Sequence, residues 1–302
     1  MVSAFQALDV LKNRGLTPKV PLGIVAFSDE EGARFGVPCM GSRLLTGVLG
    51  RERALGLTDD DGDTLAEVMG RAGREPYEIG RDDETLRAVG TFVELHVEQG
   101  RGLVELGAPV GVASAIWPHG RWRFDFRGEA NHAGTTRLED RDDPMLPFAR
   151  MVLAAREVAA KHGVVATVGK SRISPGNANA IPGMVSAWLD VRGPGEEAVR
   201  AVVRELSDGV EVREESWTPV VDFDAQLRDR VARAVTGGEP TAVLPTGAGH
   251  DAGILASVGV PSAMVFVRNP TGVSHSPLEH AEREDCEAGV AALANVLEDL
   301  CR

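Results

Sequence analysis

The amino-acid sequence predicts an α/β protein: a mostly parallel sheet covered by helices, with a ferredoxin-like α+β domain inserted into it. Three observations predict this. Apolar residues alternate between helical and strand-like periods over residues 1–116 and again over 217–302, as they do where helices cover a parallel sheet. Residues 117–216 instead read β-α-β-β-α-β, the order of the split ferredoxin-like unit. The chain has 302 residues, enough for two such domains with a core each.

The elements follow in order. "VSAFQALDVLKN" (2–13) places Phe5, Leu8, Val10 and Leu11 at helical spacing, and Arg14–Gly15 stops it. The apolar run Ile24–Phe27 predicts a strand ending at Asp29, Glu30 and Glu31, and "TFVELHVEQG" predicts a second strand from Thr91. Between them, the polar "TDDDGDTLAEVMGRAGREP" predicts a surface excursion around a short helix. In the insertion, "RWRFDFRG" (121–128) alternates as a half-buried strand and residues 143–161 form an amphipathic helix. "GVVATVGKSRI" and "MVSAWLDVRG" are strands, "GEEAVRAVVRELSDG" a helix and "VEVREESW" a strand. Beyond it, "VDFDAQLRDRVARAV" is helical, and "TAVLPTGAGHDAGILASVGVPSAMVFV" gives strand, Gly-rich loop, helix and buried strand. Residues 281–301 close with a helix.

Composition narrows the function classes. With 32 basic against 45 acidic residues the net charge is −13, which argues against a nucleic-acid or anionic-membrane partner. Cys39, Cys286 and Cys301 have neither the spacing of a disulfide framework nor that of a thiolate zinc site. There is no apolar run of membrane-spanning length and no signal-peptide pattern, so the expected setting is a reducing cytoplasm.

Active residues in open α/β sheets gather beyond the carboxyl ends of strands. Glu30 and Glu31 stand there after the first strand, His96 in "ELHVEQG" closes the second, and His275 in "PTGVSHSPLEH" follows "SAMVFV". Each alone also fits a blander role, as a solvated acid or a hydrogen-bonded structural imidazole. Together, a carboxylate and two imidazoles suit zinc or a similar divalent cation. Neighbouring glutamates point in different directions, so one can grip a cation while the other faces its bound water as a base.

Six motifs extend this reading: "SDEEGARFG", "ELHVEQG", "GEANHAGTTRLEDR", "NANAIPGMVSAWLDVR", "TGAGHDA" and "GVSHSP". Their order, over essentially the whole chain, resembles the N-carbamoyl-L-amino-acid hydrolase and allantoate amidohydrolase family. Those are dinuclear metal amidohydrolases related to co-catalytic aminopeptidases and carboxypeptidases. The resemblance implies two divalent ions (zinc, manganese, cobalt or nickel) and a small ureido substrate carrying a carboxylate. It also implies that residues 1–116 and 217–302 form the catalytic domain, and that 117–216 form a lid and a homodimer surface. Glu30 is then the general base, and Glu31, His96 and His275 are metal ligands. His132 stabilises the oxyanion, Asn179 and Arg192 hold the substrate carboxylate, and Gln99 and the backbone of Gly249 touch substrate. Arg192 also fits a strand-end salt bridge, and Asp251, after His250, fits a helix cap. His119, His162 and His280 lie outside the motifs and read as surface residues. Allantoate is the first expected substrate, because "ASAIWPHGRWRFDFRGEANHAGTTRLEDRDDP" resembles that branch more closely, although Arg137 stands where the family commonly has proline. An N-carbamoyl-L-amino acid is the alternative, with N-formimino and N-acyl amino acids behind it.

The resemblance further implies a histidine and a metal-bridging aspartate upstream of the first helix, which are not among these 302 residues. That leaves one cation with His96 alone and the other with Glu31 and His275. The expectation is a metal-poor chain, and an inactive truncated homologue is the non-enzyme alternative.

Overall fold

The computed structural model describes residues 1–238 and 241–302. It divides into two compact units, one built from Met1–Ile116 and Val221–Arg302, the other from Trp117–Val220. No helix among the described residues is long and apolar enough to cross a membrane.

In the first unit, helix α1 (Val2–Asn13) buries Ala7 and Leu11. Four short helices follow: α2 (Met40–Thr46), α3 (Arg51–Leu55), α4 (Leu65–Arg71) and α5 (Asp83–Ala88). They surround a small core of their own that includes Phe35, Met40, Leu44 and Leu65. A Thr64–Glu67 capping box starts α4 and satisfies two of its free amides. Strand β1 (Phe92–Val97), the turn of helix α6 (Gly102–Glu105) and strand β2 (Val110–Ile116) complete this part.

The second unit carries strand β3 (His119–Arg127), the short β4 (Asn131–His132), helix α7 (Met145–His162), β5 (Val165–Ser174), β6 (Ala180–Ile181), β7 (Met184–Arg192), helix α8 (Glu196–Leu206) and β8 (Glu211–Thr218). Its main sheet runs β5-β7-β3-β8 with every neighbour antiparallel, the ferredoxin-like order. Strand alternation decides its faces. Trp122, Phe124 and Phe126 of β3, with Val185, Leu189 and Val191 of β7, point to the helix-covered core. Helix α8 answers with Val199, Val202, Val203 and Leu206, the i, i+3, i+4, i+7 stripe of an amphipathic helix. Each large side chain so buried contributes about 1.5–3 kcal/mol.

The chain then returns to the first unit with β9 (Val221–Asp222), α9 (Ala225–Thr236), β10 (Ala242–Thr246), α10 (Asp251–Ser257), β11 (Ser262–Val267) and α11 (Arg283–Cys301). The sheet order is β1-β11-β2-β10, with β9 also on β2. β1 runs parallel to β11 and β10 parallel to β2, while β2 meets β11 and β9 antiparallel. One sheet face packs on α9 and α11, the other on Leu103, Ala252 and Phe223.

One expected element does not form. Ile24–Phe27 is not a strand: it pairs with none of the described strands, and Val25 is exposed. An apolar run becomes a strand only when a ladder satisfies its backbone groups, and four residues of sequence do not disclose a partner. The acids after it therefore sit in a turn rather than at a strand end. That turn is tight: Gly32 has φ +67°, and a Cβ there would lie 2.5 Å from the nitrogen of Pro38. Gly41 likewise lets α2 approach the backbone of Ser28, with 2.7 Å to a built Cβ.

Candidate active site

Three non-glycine residues of the first unit lie in the left-handed backbone region: Asp29, Cys39 and His275, with φ of 51°, 54° and 55°. Such conformations cost roughly 1–3 kcal/mol each and persist where the surroundings over-determine them. Asp29 and Cys39 lie beside Glu30, and His275 is itself one of the predicted residues. Asp29 accepts from the amides of Arg34 and Phe35, both at 3.4 Å, and so folds the acidic turn back on itself. Cys39 donates its amide to the Glu30 carbonyl at 2.6 Å, and its thiol lies 3.7 Å from Glu30 Oε1. Around His275, the buried Asn269 holds the loop through Val273, Thr271 and Gly272. The His275 amide donates to Glu279 at 2.8 Å.

These turns bring predicted residues together. His275 Nε2 is 3.4 Å from Glu31 Oε2 and 3.4 Å from Gln99 Nε2. Two donors on one tetrahedral zinc stand about 3.4 Å apart, given bonds near 2.0–2.1 Å. Gln99 is set by its neighbour Glu98, which is buried and accepts from the amides of Gly102 and Leu103 at 2.7 and 2.8 Å.

Glu30 faces inward. Burial, then the negative charges of Asp251 and Glu31, raise its pKa, against the pull of His96 and the Cys39 thiol. Asp251 is not a helix cap: His250 holds that position, and the Asp251 carboxylate accepts from the Ser42 hydroxyl at 2.5 Å. Burial raises its pKa as well, opposed by the hydrogen bonds from Ser42 and Cys39. Cys39 is pushed well up by burial and by Asp251, so it stays a neutral thiol beside the carboxylates.

A further cluster contains two residues that the sequence did not single out. Phe92, Glu94 and His96 alternate onto one face of β1, and His250 stands over that face with its ring 4.6 Å from that of His96. Donor atoms of Glu94, His96 and His250 lie within 4.8 Å of one another. His96 Nδ1 is 2.8 Å from the Val97 carbonyl, which can only accept, so that nitrogen carries a proton. Glu94 accepts from the Ala252 amide at 2.8 Å. Burial pushes its pKa up to about 7; the Ala252 amide opposes this, and Asp251 and Glu30 add to it. His250 is 2% exposed, and neither of its ring nitrogens has a hydrogen-bond partner. Burial, then the charge on His96, hold it down to about 3. An unpaired buried donor or acceptor costs about 1–3 kcal/mol. The donor set of carboxylate oxygens and imidazole nitrogens fits a divalent metal.

The remaining predicted residues are placed as follows. Gly249 is exposed in the loop before α10. In the second unit, β4 pairs with β6, setting His132 opposite Ala180, and the Ala133 amide donates to the Asn179 carbonyl at 3.0 Å. His132 Nδ1 accepts from the Gly134 amide at 3.0 Å, so its ring is oriented while the side chain remains exposed. His132 and Asn179 are thus neighbours. Arg192 is not with them: it ends β7 opposite His119, and Asp190 grips its guanidinium at 2.7 and 3.1 Å. Eight strand steps, roughly 26 Å, separate it from Met184 at the other end. His119, His162 and His280 contact Trp117, Glu205 and Leu278 respectively.

The first unit thus gathers carboxylates and imidazoles on an α/β scaffold. The chain belongs to Peptidase family M20/M25/M40, whose sequence model matches residues 1–299. It is 36% identical, over all of its length and 76% of the relative's, to the N-carbamoyl-L-amino acid amidohydrolase of Geobacillus stearothermophilus. It is 31% identical, over 99% of its length and 75% of the relative's, to the allantoate amidohydrolase of Escherichia coli. The solved structure of AtUAH in complex with (S)-hydroxyglycine superposes with a TM-score of 0.85 at 29% identity, over 99% of this chain and 75% of that one. The protein is a hydrolase acting on C–N bonds, and its family generally binds divalent metals.

Proposed function

We propose that the protein is a metal-dependent amidohydrolase that cleaves a linear C–N bond in a ureido acid, with allantoate as the first substrate. The observation that carries this is Glu30, inward-facing and raised in pKa by burial and by its neighbours Asp251 and Glu31 against the pull of His96, beside the Glu31–His275 pair. In this reading Glu31, His96 and His275 hold divalent metal. A bound metal lowers the pKa of its water and polarises the scissile carbonyl. Glu30 takes the proton from the attacking water and returns it to the leaving nitrogen, and its raised proton affinity suits both transfers. Gln99, beside His275, and the Gly249 backbone orient the ureido group. His132 donates to the developing oxyanion, and Asn179 and Arg192 bind the substrate carboxylate, for which a planar guanidinium is suited.

One carboxylate cannot meet Asn179 and Arg192 of the same chain if roughly 26 Å of strand lies between their ends of β7. We therefore propose a homodimer in which the two residues at one substrate come from different copies, with the 117–216 insertion as the shared lid.

The 36% identity to the Geobacillus stearothermophilus enzyme supports a second reading, an N-carbamoyl-L-amino acid as substrate. Comparing kcat/KM for allantoate, several N-carbamoyl-L-amino acids and a dipeptide, with divalent metal supplied, separates the readings. Allantoate is expected to lead. A preference for the N-carbamoyl amino acids would select the second reading, and a preference for the dipeptide would overturn the ureido assignment.

A further inference from the structure

On the outer face of the second unit's sheet, Asp190 stands between two guanidinium groups. Arg192, two residues along β7 and so on the same face, donates Nε and Nη2 to it at 2.7 and 3.1 Å. Arg121 of β3 is its cross-strand partner in register, with Nη2 3.8 Å from Asp190 Oδ2, an ion pair too long for a hydrogen bond. We infer that Arg121 is a positioning residue for the substrate carboxylate: when Arg192 leaves Asp190 to bind that carboxylate, Arg121 closes on Asp190 in its place.

Three observations carry it. The Asp190 side chain is 25% exposed, so losing Arg192 would leave a partly desolvated carboxylate without its two hydrogen bonds, and the exchange is costly unless another cation takes over. Arg121 is free to do so: its side chain is 48% exposed, and among the described residues it makes no other ion pair. There is also room. A cavity of about 250 Å³ lies beside the pair, lined by Arg121, Asp190, Thr167, Lys170, Trp188 and Glu215. Moving the guanidinium by about 1 Å brings it to the distance of a charge-assisted hydrogen bond. The charged neighbours in this cavity are already engaged, Lys170 over the Trp188 ring at 4.7 Å and Glu215 with the Trp188 indole N–H at 2.9 Å. A planar guanidinium can offer Asp190 the same paired contact that Arg192 gives up.

The inference rests on the proposed role of Arg192, and the two are separated by a double-mutant cycle. With divalent metal supplied, kcat and KM on allantoate and on an N-carbamoyl-L-amino acid are measured in wild type, Arg121→Ala, Arg121→Lys, Asp190→Asn, the Arg121→Ala/Asp190→Asn double variant and Arg192→Ala. Arg121→Ala is expected to raise KM about three- to tenfold with kcat unchanged, within the range for coupled members of one ion-pair network, and Arg121→Lys to recover part of the loss. In the Asp190→Asn background the same Arg121→Ala step should leave KM unchanged, because no carboxylate is left to be relieved. The amide of the N-carbamoyl-L-amino acid, which has no carboxylate for Arg192, should be turned over equally by wild type and Arg121→Ala. A wild-type KM in Arg121→Ala, with KM raised in Arg192→Ala, would overturn this inference and leave the role of Arg192 intact. An equal rise with and without Asp190 would make Arg121 a direct attractor of substrate and overturn it too. A wild-type KM in Arg192→Ala would overturn both.

Discussion

Glu30 and Glu31 are adjacent in sequence but meet different surroundings. Glu31 is exposed and pairs with His275, whereas Glu30 faces Cys39, Asp251 and His96. That divergence is what the sequence predicts for neighbouring side chains, and it needs no strand, only a turn that Gly32 permits. Arg192 is held by Asp190 and is half-exposed, and in the proposed function it exchanges that partner for a substrate carboxylate. Removing a charge-assisted contact of this kind costs roughly 2–5 kcal/mol, so Arg192→Ala is expected to raise KM about thirtyfold or more with little change in kcat. Arg192→Lys should rescue it only in part, because an ammonium cannot make two parallel hydrogen bonds. An unchanged KM in steady-state kinetics would remove Arg192 from the site. Among the site residues, Glu94 was readable two positions before His96, since i and i+2 share a strand face. His250 was not: only the packing shows that its ring lies over β1 with both nitrogens bare. The buried setting of Asp251 was equally hidden, because a residue opening a helix after glycine reads as a cap.

At the scale of elements, the second unit was the most legible part. The alternation in "RWRFDFRG" and "MVSAWLDVRG" and the stripe in "GEEAVRAVVRELSDG" are local signals, and each became the expected strand or helix. β2, "VGVASAI", was missed because it is small and apolar on both faces, as a central strand is, and so lacks a period. Ile24–Phe27 failed in the opposite way, with the composition of a strand and no ladder. On the outer face of the second unit's sheet, Asp125 of β3 is buried. Burial alone would raise its pKa, but the Ser186 hydroxyl at 2.5 Å and Arg123 at 2.9 Å outweigh this and hold it low. A carboxyl with a folded-state pKa below the unfolded value near 3.9 contributes stability above that value, which is lost as pH falls through the folded one. Thermal unfolding followed from about pH 6 to about pH 3 should therefore show a steeper acid loss in wild type than in Asp125→Asn. Parallel acid limbs would mean that Asp125 titrates alike in both states.

For the whole molecule, neither unit contains every residue the proposed chemistry uses. The first holds Glu30, Glu31, His96, Gln99, Gly249 and His275; the second holds His132 and Asn179 together, with Arg192 at the far end of β7. Motif order in the sequence could announce all of these residues. It could not announce their grouping, because the spacing between Asn179 and Arg192 looks local until β7 is drawn out between them. The central claim is that Glu30 moves protons at a metal-loaded ureido site while Glu31 helps to hold the metal. Metal content and kcat on allantoate, measured together in wild type and in Glu30→Gln, test it most directly. The account predicts unchanged metal content with kcat lower by about 100-fold or more, the usual contribution of a positioned general base; near-normal turnover in Glu30→Gln would contradict it.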